Sequence, residues 1–135
     1  MMTGGMPFLP AIQFGVVDVR DVARMHLLGI QVPAAANQRF IANSESFWFR
    51  EIAIILQEAY GNDYKISTKQ LAKCPAWFGS LFSKDLRQLM PQWNKHLELS
   101  SEKAQKTLGM NFINGKDAIL AMAESLIASG MVPDQ

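Results

Sequence analysis

The run Phe14-Gly15-Val16-Val17-Asp18-Val19-Arg20-Asp21-Val22-Ala23 changes its pattern part-way along. Up to Val19 it is short and β-branched, which predicts a buried strand of a few residues. Asp18 then reads as a helix N-cap. Its carboxylate is placed to accept from the backbone N–H of Asp21, while Asp21 favours the positive end of the helix dipole. Ala23, His26, Leu27 and Ile30 follow at i, i+3, i+4 and i+7, so this face is predicted to turn inward. The segment Gln31 to Asn37, with Pro33 inside it, ends the helix.

Downstream the same alternation repeats. Gln38-Arg39-Phe40-Ile41-Ala42 reads as a second short strand, and Asn43-Ser44-Glu45-Ser46 as the capping cluster of the next helix. That helix carries Trp48, Ile52, Ile55, Leu56 and Ala59 at helical spacing, with Gly61 as a C′ glycine. Tyr64 to Thr68 is a candidate third strand. Pro75 precedes an aromatic helix through Trp77, Phe78 and Phe82. Lys84 to Met90 extends it or forms a second piece, and Pro91 breaks it. Ser100 caps a helix through Ala104 and Leu108, closed by Gly109. Asn114 caps the last helix, whose apolar stripe is Ile119, Met122, Ala123, Leu126 and Ile127. The order predicts a helix-rich α/β fold of short parallel strands with covering helices. Residues 1–15, rich in Gly, Pro and Met, read as an irregular lead-in.

Composition narrows the function. The 135 residues are 49% hydrophobic, which suits a single globular domain over 1–135 and not a disordered chain. Thirteen Lys plus Arg against twelve Asp plus Glu leave a net charge of +1, which argues against a nucleic-acid partner. Lys65, Lys69 and Lys73 read as a solvated face. No run approaches the roughly 18 apolar residues of a membrane span, and the start has no basic signal-peptide region. No membrane partner and a cytoplasmic location are expected. Cys74 is the single cysteine, so no intramolecular disulfide forms. It is read as partly buried and not as a nucleophile. His26 is read as a core or interface residue and His96 as a solvated loop residue, and neither has a partner at metal-ligand spacing. No metal site is expected. The aromatics Phe47, Trp48 and Phe49, with Trp77, Phe78 and Phe82, are read as packing in preference to a ligand wall. No glycine-rich nucleotide turn or phosphate loop occurs.

Several ordered segments carry a resemblance. Val17-Asp18-Val19-Arg20-Asp21-Val22-Ala23, with His26-Leu27-Leu28 after it, resembles the extended short-chain dehydrogenase/reductase superfamily. Within that superfamily it is similar to the NAD-dependent epimerase/dehydratase proteins, in the dihydroflavonol-reductase and aldehyde-reductase branch. The lead-in Gly5-Met6-Pro7-Phe8-Leu9-Pro10 resembles the loop before that motif. Arg39-Phe40-Ile41-Ala42-Asn43-Ser44 and Phe47-Trp48-Phe49-Arg50-Glu51-Ile52-Ala53 resemble the strand and capped helix after it. Lys103-Ala104 with Leu108-Gly109 resembles the turn before the last helix. Together these segments cover about residues 4–130 in the family's order.

The resemblance implies the C-terminal lobe of a Rossmann-type extended reductase, with the dinucleotide-binding domain absent. The family's glycine-rich turn and catalytic Tyr-x-x-x-Lys have no counterpart here; Tyr60 is followed at that spacing by Tyr64, and Tyr64 by Thr68. NAD(P) is therefore implied for the intact enzyme, with no catalytic or cofactor residue in this chain. Met6, Pro7 and Phe8 are implied to line the substrate pocket. Asp18, Arg20 and Asp21 are implied at the interface with the dinucleotide domain, Arg20 as an ion-pair former. Phe14 stands near where relatives acting on nucleotide sugars carry an arginine, so a small aldehyde or ketone is the implied substrate class. The expected partners are the missing domain or another chain. A standalone assembly module, self-associating through exposed apolar surface, is the alternative.

Overall fold

A computed structural model describes residues 2, 6–81 and 83–132. Strand β1 (Gln13–Val16) leads into helix α1 (Val19–Gln31), as the quoted run predicts. The strand is not buried, however: Phe14 and Gly15 are exposed. Asp18 caps α1 by accepting from the N–H of Arg20, one residue earlier than expected.

Strand β2 (Glu45–Trp48) pairs with β1 in antiparallel register, Gln13 opposite Trp48 and Val16 opposite Glu45. This corrects the expectation of parallel strands. After α1 and a 3-10 turn at Pro33–Ala35, the chain meets the far end of β1, where Ser44 N–H donates to Val16 carbonyl at 2.8 Å. From there it can only run back along β1. The expected strand at Gln38–Ala42 belongs to no ladder, and the expected capping cluster is taken into β2 and its approach. Tyr64 to Thr68 is not a strand either. The nearby pairing is an isolated parallel bridge between Leu9 and Gln70, flanked by 2.8 Å bonds from Leu9 N–H to Lys69 and from Leu71 N–H to Leu9.

Helix α2 (Phe49–Tyr60) starts where the Glu51 carboxylate accepts from Trp48 N–H at 2.7 Å. Gly61 ends it in a right-handed conformation, φ −66°, so the left-handed C′ glycine expected there is not used. Ala53 and Leu56 of α2 pack on Ile119 and Ala123 of α6 (Gly115–Ala128), with Leu9, Tyr64 and Ile66 completing this core. Each such fully buried large side chain contributes about 1.5–3 kcal/mol. Asn114 caps α6 as predicted, its Oδ1 accepting from Lys116 N–H at 2.9 Å.

A second cluster joins α1 to α5 (Glu102–Leu108) through Met25, Leu28 and Val32 on Ala104, Leu108 and Met110, with Phe40 against them. The inward face of α1 is thus not the predicted one; Ala23, His26, Leu27 and Ile30 all face solvent. Gly109 closes α5 at φ +62°, the left-handed conformation glycine adopts without strain. A third cluster of Ala11, Ala76 and Trp93 seats α3 (Lys73–Ser80), and Met90, just past α4 (Lys84–Leu89), packs against it. Cys74, Trp77 and Phe78 are exposed on α3, against the buried roles expected of them, and Phe82 lies outside the described residues. Among the described residues no helix is long and apolar enough to cross a membrane.

Candidate functional site

The β1–α1 turn holds the densest polar cluster. Arg20 grips Asp18 in a two-point bond, Nε to Oδ1 at 2.9 Å and one terminal nitrogen to Oδ2 at 2.7 Å. Arg20's side-chain and backbone donors hold the Asp18 carboxyl down to about 2. Asp21, also buried, reaches across the chain: its Oδ2 accepts from Ile113 N–H at 2.6 Å, fixing α1 to the loop before α6. Arg20 itself remains largely exposed. Arg20 thus makes an ion pair within this chain.

Beside that turn runs an apolar groove of about 620 Å³, lined by Val16, Val19, Asp18, Arg20, Ile52 and Met122 among others. A second apolar groove of about 450 Å³ shares Ile52, Met122 and Leu126 with it and adds Phe14, Phe49 and Met131. Methionines and aromatics on a half-open surface suit an apolar occupant that can vary in shape. Met122 was part of the predicted stripe of α6. It is 52% exposed because it lies at the stripe's edge, facing the groove and not the α2 contact.

Met6 and Pro7 lie elsewhere, in a polar groove of about 610 Å³ with Asn62, Asp63, Lys65 and Ser67. Ser67 Oγ donates to Pro7 carbonyl at 2.7 Å and pins the lead-in there. Phe8 is half exposed and lines none of these three grooves. None of them is lined both by Met6 or Pro7 and by Asp18 or Arg20.

The reactive side chains are dispersed. His26 Nδ1 bonds Val22 carbonyl at 2.7 Å on the open face of α1, and His96 packs edge-on against Trp48 at 5.2 Å. Burial pushes the Tyr60 hydroxyl up, with Glu124 and Tyr64 adding to it. That is opposite to the tuning of a tyrosine that shuttles protons near neutral pH. Among the described residues no group of three metal-ligating side chains occurs.

No family model matches the sequence, and no curated protein does. Solved structures do match. Gre2 from Candida albicans superposes at TM-score 0.64 with 22% identity, over 89% of this chain and 32% of its own. Yeast methylglyoxal/isovaleraldehyde reductase Gre2, complexed with NADPH, matches at 0.65 and 22%, over 95% and 37%. The protein gox2253 matches at 0.75 and 21%, over 96% and 42%. The fold is that of one part of these Rossmann-type proteins. The chain spans about a third to two-fifths of the length of these proteins.

The starts of α1, α2 and α6 do not fit the dinucleotide held by the yeast neighbour. Its phosphates need free helix N-terminal N–H groups beside a glycine turn. Here Asp18 occupies the start of α1, Glu51 that of α2 and Asn114 that of α6. Two of those three acceptors are carboxylates, which repel phosphate.

Proposed function

We propose that this chain is the C-terminal, substrate-side portion of an NAD(P)-dependent reductase of the extended short-chain type. The observation that carries this reading is the match of nearly the whole chain to a fraction of several reductase structures. The nucleotide-binding part, which supplies the nicotinamide and the proton-donating tyrosine, is then a separate region or chain. The substrate is a small aldehyde or ketone, of the kind the yeast methylglyoxal/isovaleraldehyde reductase is named for. The apolar grooves around Ile52 and Met122 support this class, since they offer no cationic clamp for a diphosphate beyond Arg20, which Asp18 already neutralises. Asp18, Arg20 and Asp21 are proposed as the frame of the turn beside the partner, and Met6, Pro7 and Phe8, which lie apart from these grooves, as a second lining segment that meets the substrate only in the assembled enzyme.

Titration of the 135-residue chain with NADPH and NADH, followed by nicotinamide fluorescence, tests the reading. The expected result is no saturable binding and no reduction of methylglyoxal or isovaleraldehyde. Both should appear when the NADPH-binding region of Candida albicans Gre2 is fused ahead of the chain. Tight coenzyme binding by the chain alone would overturn the division of labour.

A further inference from the structure

Helix α3 turns its apolar face outward. Cys74, Trp77, Phe78 and Leu81, the last continuing the final turn, stand at i, i+3, i+4 and i+7, the spacing of one helix face. Trp77 is 53% exposed, Phe78 63% and Leu81 51%. What α3 buries instead is Ala76, against Ala11 and Trp93. Trp77 and Phe78 meet edge-on at 5.3 Å, so their rings form one joined apolar surface. None of the grooves described above is lined by Trp77, Phe78 or Leu81.

Positive charge gathers at the same place. Residues 64–90 carry five basic side chains, Lys65, Lys69, Lys73, Lys84 and Arg87, against Asp85 alone. The rest of the chain carries eight basic residues against eleven acidic ones, so its sign is the reverse. All five basic side chains are exposed. Lys73 opens α3, and Lys84 opens α4, which packs on α3. The near-neutral total of the whole chain conceals this segregation.

Exposed Trp, Phe and Leu within a basic rim match an anionic lipid surface. The apolar side chains of an interfacial helix sink into the boundary between headgroups and acyl chains, while its lysines stay among the headgroups. Tryptophan favours that boundary. A second copy of the chain would set this cationic face against itself, which Coulomb repulsion opposes. A protein partner needs a complementary shape, whereas a fluid surface moulds to a helix that offers no groove.

We propose that the outward face of α3, with the lysines around it, docks the chain on an anionic membrane surface. Lying on a bilayer needs no spanning helix, so the expectation of no membrane partner, which rested on spanning length, does not reach this mode. The docking goes beyond the reductase reading and stands independently of it.

The test is co-sedimentation of the 135-residue chain with phosphatidylcholine vesicles, either pure or with phosphatidylserine as about a third of the lipid. Partitioning should be at least about tenfold stronger on the anionic vesicles, and Lys73→Glu with Lys84→Glu should remove that gain. Trp77→Ser with Phe78→Ser should weaken binding by at least about tenfold. Leu27→Ser with Ile30→Ser, which strips the exposed stripe of α1, should leave it unchanged. Should the aromatic pair lower the thermal melt, the lysine pair decides, since both lysines are exposed. Failure to sediment, equal binding to both vesicles, or equal loss with the α1 pair would overturn the proposal. Dimerisation that Trp77→Ser with Phe78→Ser abolishes would assign the face to a second copy and overturn it too. A Gre2 fusion that reduces carbonyls but ignores vesicles would overturn the docking and leave the reductase reading standing. A fusion that binds vesicles without reducing carbonyls would support the docking and sink that reading.

Discussion

Replacing Asp21 by Ala removes a side-chain bond from α1 to the loop before α6. Its Oδ2 accepts from Ile113 N–H at 2.6 Å across 92 residues of sequence. A hydrogen bond to a charged group contributes about 1.5–3 kcal/mol net, and an orphaned buried N–H costs about 1–3. Ile113 is only partly buried, so the lower part of each range applies. The expected loss is about 2 kcal/mol, or roughly 6–8 °C in Tm for a chain of this length. Asp21→Asn keeps an oxygen acceptor and loses the charge, so about half that loss is expected. Ile113 is held on its other side too, its carbonyl accepting from Ser44 Oγ at 2.5 Å. A double-mutant cycle between Asp21→Ala and Ser44→Ala should therefore show coupling of about 0.5 kcal/mol or more. The assay is urea unfolding followed by circular dichroism. A loss under about 0.5 kcal/mol for Asp21→Ala, with no coupling to Ser44, would refute the view that Asp21 is a tie within this chain.

Other outcomes follow from the same geometry. Asp18, held at about 2 against an ordinary 3.8, contributes stability that is fully present above about pH 4 and fades as pH falls towards 2. Arg20→Ala should move acid unfolding to higher pH, and an unchanged acid titration would count against the pair. Gly15→Ala should cost about 1–3 kcal/mol, because a Cβ there meets Asn43 Oδ1 at 2.6 Å and Leu99 Cδ1 at 2.8 Å; thermal melts check this. Gly109→Ala should cost about 1 kcal/mol through its φ of +62° alone, since nothing crowds that position. A neutral result there would mean the α5 terminus relaxes.

Local signals were readable where the physics is local. Asn114 before an apolar stripe, Gly109 after one and the α2 pattern from Ile52 to Leu56 all lie where their chemistry places them. Face assignment failed on α1 because that helix carries two apolar stripes, with Arg20, Arg24 and Gln31 between them. Ala23, Leu27 and Ile30 satisfy helical spacing as well as Met25, Leu28 and Val32 do, and nothing within the helix ranks one set above the other. Cys74 and Trp77 were misplaced for a related reason: a short helix such as α3 buries Ala76 and leaves its neighbours outside. The candidate site was half legible. Asp18, Arg20 and Asp21 were found as a motif, but their bonds to one another and to Ile113 were not, since the last joins positions 92 residues apart.

The sequence by itself determined the helices and the caps at Asp18, Gly109 and Asn114, because each rests on residues within a few positions of one another. Tertiary structure alone decided the strand pairing. Gln38–Ala42 has the composition of a strand, but a strand is made by hydrogen bonds to a neighbour, and none is offered to it among the described residues. Glu45–Trp48 is less obvious in composition and is a strand because β1 lies beside it. Which face of α1 is covered has the same answer: α5 covers one and leaves the other exposed.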